Sequence, residues 1–258
     1  MTTYTLKDKH AVVTGASRGI GAAISRSLAA EGTRVSLLAR DAATLGAVAQ
    51  ELGPERALAV TADVADAASV AQAFETARHR FGPVHILINN AGQAASAKFT
   101  DTDTELWNRI LGVNLTGTYL CARAAVADML QAGFGRIVNI ASIAGLRGAA
   151  YLSAYVTSKH AVVGLTRALA LEYATRNITV NAVCPGYVDT DIVKNAVANI
   201  SRKTGRSEAE ARATLVATNP QGRLVTSEEV AHATVWLCQP GADSVTGQSI
   251  VLAGGEVT

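Results

Sequence analysis

Cysteine is scarce. Only Cys121, Cys184 and Cys238 occur in 258 residues, an odd and widely spaced set with no CxxC pair. That pattern excludes a disulfide framework and a structural zinc site, and it points to reduced core thiols in a cytoplasmic protein without a metal. Charge is sparse as well, at 17% of residues, and 23 basic against 21 acidic side chains leave a net charge of +2. So weak a balance gives no basis for binding nucleic acid or a membrane surface. No apolar run approaches the ~20 residues of a membrane span. The opening Met1–His10 also lacks the apolar stretch of a signal peptide. With five prolines and 22 glycines, the chain falls outside the collagen-like and disordered classes.

What is present is an alternation. Short β-rich runs at 10–14, 34–39, 56–62, 84–89, 135–142, 178–184 and 248–252 read as about seven strands. Helical patterns at 19–31, 41–52, 66–81, 101–130, 154–175 and 227–238 lie between them, with Asp41 as a candidate N-cap. Parallel strands joined by right-handed helical crossovers form a doubly wound α/β sheet of Rossmann type, with helices on both faces. No linker, repeat or low-complexity tract divides residues 1–258, so a single domain is expected. Residues 189–219 break the rhythm with a polar, mobile-looking insert beyond a strand's carboxyl end, where ligands of such sheets bind. They read as a substrate lid.

The first strand runs into Thr14-Gly15-Ala16-Ser17-Arg18-Gly19-Ile20-Gly21. Glycines there let the backbone turn sharply and approach a pyrophosphate, while the following helix directs free N–H groups at the anion. The spacing is GxxxGxG and not GxGxxG, but its place after the first strand makes it a dinucleotide loop. An NAD site carries an acid at the end of the second strand. This chain has Ala39-Arg40 there, and Arg40, helped by Arg18, suits a 2′-phosphate. NADP(H) is therefore favoured over NAD(H).

Tyr155 and Lys159 are four residues apart and share one helix face. Ser142 ends the preceding strand, where its hydroxyl can face the crevice. His160 lies one position round the helix and should face away, and Tyr151 has no lysine four residues on.

Together the glycine loop, Asn89-Asn90-Ala91-Gly92, Asn114, Ser142, Tyr155-Val-Thr-Ser-Lys159 and Pro185-Gly186 resemble the short-chain dehydrogenase/reductase family. The likeness covers essentially the whole chain and is nearest to 3-oxoacyl-thioester reductases and polyketide ketoreductases. It implies a catalytic tetrad of Asn114, Ser142, Tyr155 and Lys159. Tyr155 would be the proton donor in reduction, Lys159 would favour tyrosinate and bond the nicotinamide ribose, Ser142 would donate to the substrate oxygen, and Asn114 would hold a relay water. It also implies cofactor contacts through Gly15, Ser17, Arg18, Gly19, Ile20 and Gly21, through Asp63 and Val64 at the adenine, and through Asn90, Ala91 and Gly92 beneath the cofactor. Pro185, Gly186, Val188 and Thr190 would hold the nicotinamide end.

The implied reaction is ketone–alcohol interconversion on a carbonyl substrate, foremost a CoA or acyl-carrier 3-oxoacyl thioester. A sugar, steroid or other small secondary alcohol is the alternative, and a non-catalytic dinucleotide-binding protein is the rival of another class. A homotetramer is expected by the same likeness. Two departures stand out: the second strand lacks its acid, and Ala253 occupies the place of a common acid before Gly254-Gly255.

Overall fold

Residues 6–257 are described in a computed structural model; Met1–Thr5, half of the stretch expected to lack a signal sequence, lie outside it. Seven parallel strands form one sheet in the order β3-β2-β1-β4-β5-β6-β7. They are β1 (His10–Thr14), β2 (Arg34–Ala39), β3 (Ala57–Thr61), β4 (Ile86–Asn89), β5 (Gly135–Ile140), β6 (Ile178–Pro185) and β7 (Ser249–Leu252). The central strands are buried on both faces, as a sheet covered by helices on each side requires. This is the expected Rossmann-type fold, and its strand order reverses between β1 and β4.

The helices are α1 (Gly19–Ala30), α2 (Ala42–Leu52), α3 (Ala67–Phe81), α4 (Thr104–Leu111), α5 (Gly117–Ala132), α6 (Ser153–Tyr173), α7 (Asp191–Thr204), α8 (Glu208–Val216) and α9 (Ser227–Cys238). On one face α1, α2 and α9 pack Ile24, Leu28, Leu45 and Leu237 against Val13 and Leu37. On the other, α3 and α5 pack Phe74, Cys121 and Met129 against Leu87 and Ile137. Asp41 caps α2 through bonds from the Ala43 and Thr44 amides, as its position in the sequence implies.

One expectation changes. The helix expected over 101–130 is two helices, with Asp103 capping α4 and a π-helical turn, Gly112–Thr116, between α4 and α5. By length and composition alone Thr104–Ala132 is apolar enough to cross a membrane (mean hydropathy 1.2), but α5 buries its apolar face in the sheet core. Residues 189–219 contain a pair of helices, α7 and α8, that pack through Val193, Val197, Ala211 and Leu215 with Leu224. Their charges occupy the outer faces, so a count of polar residues concealed a small apolar seam. All three cysteines are free and buried.

At the amino end of the sheet His10 is fully buried between the Gly82 carbonyl (Nδ1, 2.8 Å) and the Ser36 hydroxyl (Nε2, 2.9 Å). A carbonyl can only accept, so Nδ1 carries a proton. Burial holds this histidine down at about 4.

Candidate active site

The carboxyl ends of β1 and β4 are tied together. Thr14 Oγ1 accepts the Asn90 and Ala91 amides, each at 3.0 Å. Asn90 Nδ2 donates back to the carbonyls of Thr14 (2.9 Å) and Gly15 (3.1 Å). Asn90 and Ala91 therefore brace the glycine loop from beneath. Gly15 adopts φ +63°, and a Cβ there would lie 2.9 Å from the Ala91 Cα; a Cβ on Gly21 would run into the Gly15 carbonyl oxygen. Both positions need glycine for the strand-to-helix turn to close this tightly.

Helix α1 begins without a side-chain cap, since Arg18 supplies only backbone. Its first amides, from Gly19 to Gly21, are thus open to an anion at the positive end of the helix. Ser17 lies in the same turn. Arg18 is not directed at Arg40; its guanidinium sits 3.3 Å from Asp191 in the first turn of α7 and also acts on Asp41. Arg40 is exposed at the end of β2, and no partner holds its side chain among the described residues. Asp63 Oδ1 accepts the Ala65 amide at 2.9 Å and does not cap α3, a role that Asp66 performs. Val64 is buried and packs on Gly117.

Asn114 lies in the π turn and is buried. Its Nδ2 donates to the Gln93 carbonyl (3.0 Å) and to Ser158 Oγ (2.9 Å), while Oδ1 accepts the Gln93 amide (2.8 Å). Both side-chain protons are committed, so a water could be held only on the second Oδ1 lone pair or on a backbone carbonyl. A Cβ on Gly92 would lie 3.5 Å from Asn114 Oδ1 and 3.6 Å from Lys159 Nζ, which places the amide and the amine around one point.

Ser142 follows β5 in extended backbone, and its Oγ accepts the Ala144 amide at 3.1 Å. With a lone pair engaged there, the hydroxyl proton is free to donate. Tyr155 lies in the first turn of α6 and acts on the same space. Burial pushes its phenol above the usual value, opposed by a hydrogen-bonding interaction with the Ser142 side chain, and the Tyr187 and Cys184 side chains push it up further.

Lys159 Nζ is buried, 5.7 Å from the Tyr155 ring centroid, and donates to the Ile140 carbonyl at 2.8 Å. Burial lowers the amine to about 8, partly opposed by Cys184. Burial and not Lys159 is the largest influence on the Tyr155 phenol in this cofactor-free arrangement. His160 is exposed and bonds the Val156 carbonyl, away from the site as expected. Tyr151 is exposed at φ +65°, and its carbonyl accepts the Ala97 amide at 3.0 Å, which joins the loop after β4 to the loop after β5.

The opposite wall follows β6. The Gly186 amide donates to the Leu252 carbonyl at 2.9 Å, Val188 is buried in a bridge to Val225, and Thr190 Oγ1 donates to the Val188 carbonyl at 3.2 Å. Thr190 faces Gly19 across the crevice, whose Cβ would approach the Thr190 methyl at 3.2 Å. Pro185 is the last residue of β6. Ala253 is buried against Gly186, so the acid that this position lacks would have had to be buried there.

Three side chains that the motifs did not single out, Arg147, Tyr187 and Glu256, gather beside this wall. Glu256 carries the signal that was available in the sequence: an acid directly after the paired glycines. Among the described residues no group of three or more His, Cys, Asp or Glu is placed to hold a metal ion.

A family model described as short chain dehydrogenase matches residues 9–201. A Streptomyces coelicolor protein named "Putative ketoacyl reductase" is 40% identical over 250 residues, which are 95% of each chain. Cis-4-hydroxycyclohexanecarboxylate dehydrogenase of Sinomonas cyclohexanicum is 40% identical over 251 residues, 96% of each chain. Among solved structures, that of an actinorhodin polyketide ketoreductase variant with NADPH superimposes with a TM-score of 0.93 at 39% identity, covering 98% of this chain and 99% of that one.

Proposed function

The chain belongs to the short-chain dehydrogenase family and is an oxidoreductase of the ketone–alcohol type, and from that premise we propose that it uses NADP(H) to reduce 3-oxoacyl thioesters to 3-hydroxyacyl thioesters. The observation that carries this reading is the convergence of Ser142, Tyr155 and Lys159 beside a glycine loop that fits a dinucleotide. The fit rests on this chain's own features: the cradle that a Cβ on Gly15 or Gly21 would fill, the uncapped start of α1 and the unpartnered Arg40 guanidinium. In this reading Gly15, Ser17, Gly19, Ile20 and Gly21 hold the pyrophosphate, and Arg40, helped by Arg18, the 2′-phosphate. Asp63 and Val64 meet the adenine, Asn90, Ala91 and Gly92 lie beneath the cofactor, and Pro185, Gly186, Val188 and Thr190 hold the nicotinamide end. Bound NADPH supplies the hydride.

The residues then manage the proton. Ser142, whose proton is free, donates to the substrate carbonyl oxygen. Tyr155 protonates that oxygen as it becomes an alkoxide, and a phenol kept above its usual value is suited to hold its proton until then. Lys159, held at about 8, is poised to return a proton to the phenol at neutral pH. Asn114 fixes the geometry between Gln93 and Ser158 and completes the path to solvent. Helices α7 and α8 act as the lid, and a cytoplasmic homotetramer is part of the same proposal.

NADPH oxidation with acetoacetyl-CoA tests it, run beside Tyr155→Phe and an NADH control. Turnover that requires NADPH and disappears in the variant supports it. Tight NADPH binding without thioester turnover would overturn the substrate assignment and move it to another ketone.

A further inference from the structure

Arg18 stands in the glycine loop, yet its charge is spent on the lid. Its Nη1 lies 3.3 Å from Asp191 Oδ2, in the first turn of α7. The other carboxylate oxygen, Oδ1, accepts from Lys194 Nζ at 3.4 Å, so one negative charge serves two cations. The Arg18–Asp191 pair is open to water, with side chains 73% and 46% exposed. The adjacent residues meet as well: a Cβ on Gly19 would stand 3.2 Å from the Thr190 methyl. Two consecutive residues of the glycine loop therefore approach two consecutive residues at the start of the lid.

Arg18 is also a neighbour of Arg40. The Ala16 amide donates to the Leu38 carbonyl at 3.2 Å, which ties the glycine loop to the end of β2, and each arginine lies two residues beyond that bond. The Asp41 carboxyl, next to Arg40, is lowered chiefly by the Thr44 amide and further by the Arg18 guanidinium. The Arg18 side chain thus stands between two anion positions. One is the Asp191 carboxylate, which holds it in this structure; the other is the place beside Arg40 where a 2′-phosphate would lie.

A phosphate monoester carries a charge of about −1.5 to −2 at neutral pH and offers three acceptor oxygens, so it outbids a solvated carboxylate for a guanidinium. When Arg18 turns away, Lys194 stays with Asp191, and the carboxylate is not left bare. We propose that Asp191 is a positioning residue for cofactor choice: it holds Arg18 on the lid in competition with the 2′-phosphate, so that NADP(H), unlike NAD(H), draws Arg18 off α7. This rests on the 2′-phosphate site argued above. The preference for NADP(H) is then a balance between the phosphate and a carboxylate of the chain itself. Binding of the phosphorylated cofactor also removes one of the two contacts between the glycine loop and the lid.

A double-mutant cycle tests it, with NADPH and NADH titrated by fluorescence into the wild type, Asp191→Asn, Arg18→Met and the double variant. Removing a surface competitor predicts that Asp191→Asn binds NADPH about two- to fivefold more tightly, with NADH within about 1.5-fold of wild type. In the Arg18→Met background the same change should move NADPH affinity by less than about 1.5-fold. Weaker NADPH binding by Asp191→Asn would overturn the proposal, since the carboxylate would then be steering Arg18 towards the phosphate. An equal shift for both cofactors would overturn it too, as a merely structural effect on α7, and so would a gain that persists without Arg18. Arg40→Asp reads the phosphate site separately. A selective loss of NADPH there, with no effect of Asp191, would leave that site standing and overturn the competition alone. An Arg18-dependent gain beside an Arg40→Asp variant that weakens both cofactors alike would uphold the competition and move the phosphate away from Arg40.

Discussion

Lys159 Nζ donates to the Ile140 carbonyl at 2.8 Å, so in this arrangement its amine is held by the end of β5 and not by the tyrosine four residues before it. The helix face brings the two side chains together; the carbonyl decides where the ammonium points. Burial makes that ammonium expensive to keep.

The cost has a sign that can be measured. An amine at about 8 in the fold and 10.5 when unfolded binds its proton less readily in the fold, so its contribution to stability is full above pH 10.5 and is lost as pH falls through about 8. The whole difference is about 3 kcal/mol. Urea unfolding of the cofactor-free protein at pH 7 and pH 10 should show the wild type gaining stability relative to Lys159→Met, which lacks this slope. Parallel pH dependence in the two proteins would contradict the burial argument.

Tyr155→Phe should leave NADPH binding within about twofold and reduce ketone reduction by about 10²–10⁴. Ser142→Ala removes a donor to the developing oxyanion and should lower kcat by about 10²–10³. Fluorescence titration of NADPH with steady-state kinetics separates these losses from a failure to bind cofactor.

Arg40→Asp should weaken NADPH far more than NADH, because only the former carries the 2′-phosphate. One bidentate charged contact predicts a loss of about 10–100-fold in NADPH affinity, with NADH changed by less than about threefold. The ratio of the two dissociation constants is the measurement.

His10 predicts sensitivity to acid at a distance from the site. Its ring is neutral in the fold and held at about 4, against 6.5 when unfolded. The stability it confers is present above pH 6.5 and lost as pH falls through about 4. Chemical denaturation between pH 7 and 4.5 should show His10→Gln, though less stable at pH 7, losing less on acidification than the wild type.

The sheet was readable because its strands are short apolar runs separated by amphipathic helices, and local pattern suffices for that. That Tyr155 and Lys159 share a helix face was readable because four-residue spacing on a helix fixes it. Three features were not. The π turn at Asn114 has no composition signature, since Gly-Val-Asn-Leu-Thr would pass for an ordinary α-helical stretch. The apolar seam between α7 and α8 is a few residues spread through a mixed polar stretch of 31, and it closes only by packing with Leu224. Arg147, Tyr187 and Glu256 are far apart in sequence, and only the closing of β6 against β7 brings them to one place.

The wide turn between α4 and α5 amounts to one additional residue inserted into a helix. Deleting a single residue such as Val113 would leave α5 free to bury Cys121 and Met129 as before. The turn would close to ordinary α-helical spacing with α4 still in register. The change would fall on the turn itself, where Asn114 bonds Gln93 and Ser158. The chain's length in this one turn therefore sets where a correctly packed sheet holds the Asn114 amide.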